Sequence, residues 1–246
     1  MTEPDLSALY QDTHARLAAL VAELDDTELT TQVPACPGWS VRDVVAHLLA
    51  ITQDSLAGRL TGIPSDDITA AQVARFRGHD IQDMLAAWEQ TARPFGDRLA
   101  AARIWPGVID IAAHEQDIRG AIGRPGARDN DVIRLGAGWM LSFLDPPVPM
   151  RLLVEDAEFR AGPSRAGPSR AGPSEADSGR ADSGRADSSE AGHGALTLKT
   201  SRFEAFRWRL GRRSRAQLAA LDWSGDPTPV LDHLVIFGPA SSDIIE

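Results

Sequence analysis

The chain has 246 residues, 43% hydrophobic and 24% charged, with a formal net charge of −10. That length allows one large or two small domains with a sizeable core, and the acidic balance excludes a nucleic-acid backbone or an anionic membrane surface as the main partner. The single cysteine, Cys36, excludes an internal disulfide framework and a cysteine-rich zinc site within one chain. The opening Met1-Thr2-Glu3-Pro4-Asp5 is too polar for a signal peptide, and no apolar run approaches the roughly 18 residues of a membrane helix, so a soluble, cytoplasmic protein is expected.

Residues 5–24 read as an amphipathic helix, with Leu6, Leu9, Thr13, Leu17, Leu20 and Leu24 at spacings of three and four. Asp25-Asp26 leads into a loop containing Pro34 and Pro37-Gly38. A second helix starts after Ser40, where Ser40-Val41-Arg42-Asp43 has capping-box spacing, and runs to about Leu60. Residues 61–79 read as a loop with a short helix. Residues 80–101 form a third helix with Ile81, Leu85, Trp88 and Leu99 as core positions, and Pro94 predicts a kink or break in it. A fourth helix covers 105–122, with Pro106 in its first turn and Gly123 and Pro125 stopping it, and a shorter one covers 129–144. Residues 150–155 and 195–200 read as strands, and 202–210, 212–221 and 228–236 as helices.

Between the two strands lies a pentapeptide repeat: AGPSR, AGPSR and AGPSE over 161–175, then ADSGR, ADSGR and ADSSE over 176–190. With no aromatic or β-branched residue it cannot bury enough apolar surface to offset its ordering entropy, so 161–194 is expected to be a disordered insert in a tolerant surface loop. The expected organisation is a helical bundle over 1–145 and a small α+β domain over 146–160 and 195–246.

Two histidines are oddly placed for a core. His47 shares the apolar face of its helix with Val44, Leu48 and Ile51, and His114 lies between Ile111 and Ile118. Asp110 is four residues before His114, so both project from one helical face. A carboxylate and an imidazole at that spacing, plus an imidazole from a neighbouring helix, make a three-ligand metal site with positions open for water or substrate. The bland alternative is a hydrogen-bonded core histidine and an ordinary Asp–His helix pair. Cys36 shows no neighbouring base and reads as packing, and Trp39 as an anchor beside the helix start. Asp117 is either a second-layer partner of a ligand histidine or a structural charge; Glu115 and Gln116 are expected to face solvent.

The stretch Pro34-Ala35-Cys36-Pro37-Gly38-Trp39-Ser40-Val41-Arg42-Asp43-Val44-Val45-Ala46-His47-Leu48-Leu49, followed by Asp110-Ile111-Ala112-Ala113-His114-Glu115-Gln116-Asp117-Ile118-Arg119 and Gly123-Arg124-Pro125-Gly126, resembles the mycothiol-dependent maleylpyruvate isomerase family. Residues 196–237, notably Gly211-Arg212-Arg213-Ser214, resemble that family's C-terminal domain, and the 161–190 repeat departs from it. The resemblance implies an α+β chain: a DinB-like metal-binding four-helix bundle followed by a small α+β domain. It implies that His47, Asp110 and His114 hold a divalent metal, usually taken as zinc, although the family acid is usually Glu. It implies mycothiol as the thiol cosubstrate and a small electrophile as substrate, with cis–trans isomerisation through a thiol adduct or S-transfer as the chemistry. A dicarboxylate substrate needs a cation, for which Arg212 and Arg213 are candidates, the alternative being that Arg209, Arg212, Arg213 and Arg215 line a solvated helix face. A non-catalytic metal- or small-ligand-binding relative is the alternative to the enzyme.

Overall fold

The computed structural model describes residues 3–60, 62–163 and 195–246. Helix α1 (Leu6–Ala22) is capped by the Asp5 carboxylate, which accepts from Ala8 N. A short α2 (Asp26–Thr30) follows, closed by a reciprocal capping box between Asp25 and Glu28. Helix α3 (Val41–Leu56) starts at the Ser40/Asp43 box that the sequence signals, with Asp replacing the usual Glu. Then come α4 (Asp66–Arg75), α5 (Ile81–Ala101), α6 (Trp105–Ala121) and α7 (Asp131–Leu141). Helices α1 and α3 each pack against both α5 and α6, giving a four-helix bundle; α4 lies on α3, and α7 bridges α6 to the C-terminal part. Leu17, Val44, Val45, Leu49, Trp88 and Ile111 fill its core. The buried Trp88 satisfies its indole by donating from Nε1 to the Tyr10 hydroxyl at 3.1 Å.

The remainder is a four-stranded mixed sheet ordered β2-β1-β3-β4, from β1 (Met150–Val154), β2 (Ala157–Ala161), β3 (Leu196–Thr200) and β4 (Asp222–Trp223). Strand β1 is antiparallel to β2 and parallel to β3, so Leu152 lies beside Phe159 on one side and Leu198 on the other. Helices α8 (Arg202–Arg209) and α9 (Arg215–Ala219) complete it. The two parts join where Phe206 of α8 packs on α7: a Cβ added at Gly136 would sit 3.2 Å from the Phe206 ring and 3.5 Å from Ile109. The helical bundle followed by a small α+β region is the fold class the sequence implies.

Several local expectations change. Helix α5 runs through Pro94 without a break; Gln90, whose carbonyl loses its partner, and Pro94 itself are both exposed to water. The stretch 228–236 is not an α-helix but a single 3-10 turn at Leu231–His233, because Pro227 and Pro229 bias the residues before them to extended backbone. The helix expected over 212–221 starts only at Arg215, since Gly211 (φ +76°) ends α8 and Ser214 caps α9. Strand β2 was not apparent in the sequence, and its last residue, Ala161, opens the repeat; the rest of the insert beyond Pro163, with His193, lies outside the described residues. No helix among the described residues is long and apolar enough to cross a membrane.

Candidate metal centre

Helix α6 sets up the site. Its residues 111–118 are all buried, so it has no solvent face in that span, and its polar side chains each meet a partner from a different element. Glu115 and Gln116, expected in solvent, are 0% and 3% exposed. Glu115 receives Arg16 of α1 at 3.0 Å and Arg119 at 3.1 Å. Gln116 donates to the carbonyls of Gly126 and Ala127. Asp117 points toward α8 and Asp110 and His114 toward α3. An amphipathic pattern is the wrong guide to a helix enclosed on all sides.

The three residues singled out in sequence converge. His47 Nε2 lies 3.7 Å from Asp110 Oδ2, and His114 Nε2 lies 3.5 Å from Asp110 Oδ1. The imidazole rings are 5.4 Å apart and nearly perpendicular. All three donor atoms fall within 4.8 Å of one another. Tetrahedral coordination at zinc–ligand distances of about 2.0–2.1 Å spaces donors by about 3.3 Å, so the cluster fits a metal after small adjustments. Two neutral imidazoles and one carboxylate suit zinc and several other divalent ions. The shorter side chain of Asp110 therefore still reaches both histidines. Both histidines are buried, at 4% and 6% exposure, while Asp110 is half-buried and marks the side open to solvent.

A second layer holds His114. Its Nδ1 lies 3.0 Å from Asp117 Oδ2. A carboxylate at Nδ1 leaves the Nε2 lone pair for a ligand. Asp117 is in turn fixed by Arg207 Nη2 at 2.7 Å and Arg212 Nη2 at 3.0 Å. Burial alone would raise the Asp117 carboxyl, but the Arg212 and Arg207 guanidiniums and His114 outweigh it and hold it well below the usual carboxylate range. Burial also works against protonated His114, yet Cys36, Asp110 and Asp117 reverse that and push it up to about 10. His47 is lowered to about 4 by burial, with Asp110 opposing. The surroundings of His114 thus stabilise a positive charge there, which a proton or a metal ion can supply.

Cys36, for which the sequence offered no base, sits 3.7 Å from His114 Nδ1 and 3.6 Å from Asp117 Oδ2. It is brought there by the Val33–Trp39 turn, in which Gly38 has φ +83°. Cys36, His114 and Asp117 also form a compact donor group, but the oxygens of Asp117 are already engaged by two guanidiniums, so a cation there would face two others. The fit is better at His47, Asp110 and His114. Trp39 lies 5.1 Å from the His47 ring and walls that side.

Of the arginine pair, Arg212 reaches the site through Asp117, and Arg213 is taken up by Glu204 and Glu246. The solvated-face reading of this segment does not hold for Arg209 and Arg213, which are 3% and 7% exposed, and the fully buried Arg207 was not singled out in sequence. Arg207 leaves no signal in the residue spacing along α8, because its partners, Asp117 and the carbonyl of Ala113, are about ninety residues away. His14 packs edge-on to Trp88, and His79 against Phe76. A surface cleft of about 550 Å³ beside Asp5, Ser7, Gln11 and Asp97 holds none of the donors.

Behind His47, α4 is pinned to α3 by Asp54, which accepts from Arg59, Arg75 and Gln72. Burial opposes the charge on Asp54, but these donors hold its carboxyl at about 2, below the ordinary 3.8. A depressed carboxyl stabilises the fold above its unfolded pKa and loses that contribution as pH falls through its folded one. Between pH 5 and pH 2 the protein should therefore lose about 2 kcal/mol that Asp54→Asn does not lose. Urea unfolding of both across that range checks it; parallel curves would show that Asp54 is not held this way.

Two histidines and a carboxylate from facing helices of a four-helix bundle define this as a helical-bundle protein with a candidate three-donor metal centre. Residues 10–119 match the family model described as the mycothiol maleylpyruvate isomerase N-terminal domain. The fold is similar to a crystal structure of a histidine-to-alanine mutant of the mycothiol-dependent maleylpyruvate isomerase, with TM-score 0.53 and 12% identity over 86% of this chain and 92% of that one. A second structure of the mycothiol-dependent maleylpyruvate isomerase gives TM-score 0.48 and 14% identity over the same shares. At 12% identity, the likeness to the mutant structure shows a shared fold alone. No curated protein sequence matches the chain.

Proposed function

We propose that this chain is a metal-dependent enzyme that uses a low-molecular-weight thiol, mycothiol in the family it resembles, to isomerise or conjugate a small electrophile. The observation that carries this reading is the convergence of His47, His114 and Asp110, with both Nε2 atoms turned to one carboxylate. His47, Asp110 and His114 would hold the metal. When bound, a divalent ion with an open position supplies the lowered thiol pKa that keeps a thiolate at neutral pH.

The chain's own residues do the rest. Asp117 holds the Nδ1 proton of His114, so that Nε2 is the nitrogen that would give up its proton to a metal. Arg207 and Arg212 hold Asp117 ionised. Arg212, with 16% of its side chain exposed, is the cation best placed to meet a carboxylate of the substrate; Arg213, held by Glu204 and Glu246, supports its segment. Trp39 and the enclosed α6 exclude water from the inner side. In isomerisation the thiolate sulfur bonds to one alkene carbon and the π electrons move to the conjugated carbonyl. Rotation follows about the new single bond. Expulsion of the thiolate restores the double bond and returns the thiol unchanged. In S-transfer the adduct instead takes up a proton at carbon and leaves.

The test is isomerisation of a cis-conjugated dicarboxylate, followed by ultraviolet absorbance, with protein stripped by chelator and then reloaded with zinc. A rate that needs both zinc and mycothiol supports the enzyme. Metal uptake without turnover of any tested electrophile would favour a binding protein on the same scaffold.

A further inference from the structure

Helix α4 is unusual in that its one buried residue is polar: Gln72, 3% exposed. A short helix on the outside of a bundle ordinarily anchors itself with an apolar side chain, so this amide has to be accounted for by its partners. Helix α3 supplies two candidates. His47 and Asp54 are seven residues, two turns, apart and so share one side of α3. Gln72 Nε2 donates to Asp54 Oδ2 at 2.9 Å. An ionised carboxylate only accepts, so this contact sets the orientation of the amide and sends Oε1 the other way. Asp54 is itself held by Arg59 at 2.6 Å and Arg75 at 2.8 Å.

Gln72 Oε1 is buried and without a hydrogen-bond partner, and so is His47 Nδ1. The two side chains are neighbours. One orphan is an acceptor and the other is a donor in the tautomer whose Nε2 carries the lone pair. Such a coincidence is costly unless the two atoms are used together. The other histidine of the cluster shows the same arrangement completed, with Asp117 on its Nδ1.

We propose that Gln72 is the positioning residue of His47: its Oε1 accepts the Nδ1–H, which fixes the tautomer with the Nε2 lone pair facing Asp110 and His114, and the Asp54–Arg59–Arg75 cluster holds the amide in that orientation. The part of this assignment that concerns metal affinity rests on the three-donor reading above; the tautomer does not. Helix α4, which contributes no ligand, thereby becomes part of the site.

The test uses nitrogen-15 NMR of the imidazoles in metal-free full-length protein at pH 7, where His47 is neutral, together with zinc affinity by competition with a chromophoric chelator. The wild type should show His47 protonated on Nδ1. Gln72→Met, of similar shape but with no acceptor, should mix the two tautomers and weaken zinc binding about 10–100-fold. Gln72→Glu, which keeps an acceptor, should retain the Nδ1–H tautomer. Thermal unfolding of each variant separates this effect from loss of fold. An Nε2-protonated His47 in the wild type overturns the proposal without any variant, and so does a folded Gln72→Met with unchanged tautomer and unchanged zinc affinity. Should the wild type bind no zinc, the three-donor reading fails, and the tautomer shift alone decides the role of Gln72.

Discussion

His114→Ala should lower zinc affinity by more than about 100-fold and abolish thiol-dependent turnover while the bundle stays folded. The loss exceeds the 10–100-fold expected for a partner one layer removed, because the ligand atom itself disappears. Folding should survive, since Asp117 keeps Arg207 and Arg212 as partners when the imidazole is gone. His47→Ala should match it in metal affinity, as the two imidazoles flank the same carboxylate at 3.7 and 3.5 Å. Chelator competition on both variants, with circular dichroism as the control for fold, reads the effect. Near wild-type affinity in either folded variant would remove that histidine from the site.

The largest effect on stability is expected at Arg207. Its side chain is 0% exposed and donates to Asp117, itself 0% exposed, to the carbonyl of Ala113 and to Glu246. Removing one partner of a buried pair leaves the other charge in a medium that cannot solvate it, which costs about 3–5 kcal/mol. Arg207→Ala should fall in that range, toward the lower end because Arg212 still faces Asp117. It should also loosen the junction between α6 and α8, since Arg207 is the fully buried cation that spans it. Denaturant unfolding measures the change; a loss below about 1 kcal/mol would show that the pair is not closed to water.

The bundle helices were legible because their signals are local. The Ser40/Asp43 box, the 3.6-residue stripe from Leu6 to Leu24, and the stop at Gly123 are all written within a few residues of the feature they control. The three converging residues were legible partly for the same reason, Asp110 and His114 being one turn apart and His47 standing out on an apolar helix face, and partly through the family resemblance, which strengthened the link to His47. What could not be read is what depends on the third dimension. Cys36 meets His114 from 78 residues away, Arg207 meets Asp117 from 90, and Gln72 meets Asp54 across two helices. Glu115 and Gln116 were misplaced because α6 is enclosed on every side, and periodicity is informative only where one face remains wet. The errors after residue 210 have a different cause: short elements set by Gly211, Pro227 and Pro229 carry too few residues for a periodic pattern to form.

The central claim is that His47, Asp110 and His114 share one metal ion. Metal content of the purified protein by inductively coupled plasma mass spectrometry, with His47→Ala alongside, tests it most directly. About one divalent ion per wild-type chain, absent from the variant, is the predicted result. Wild-type protein that takes up no metal even after reconstitution with zinc, or a His47→Ala variant that keeps the full complement, would contradict it.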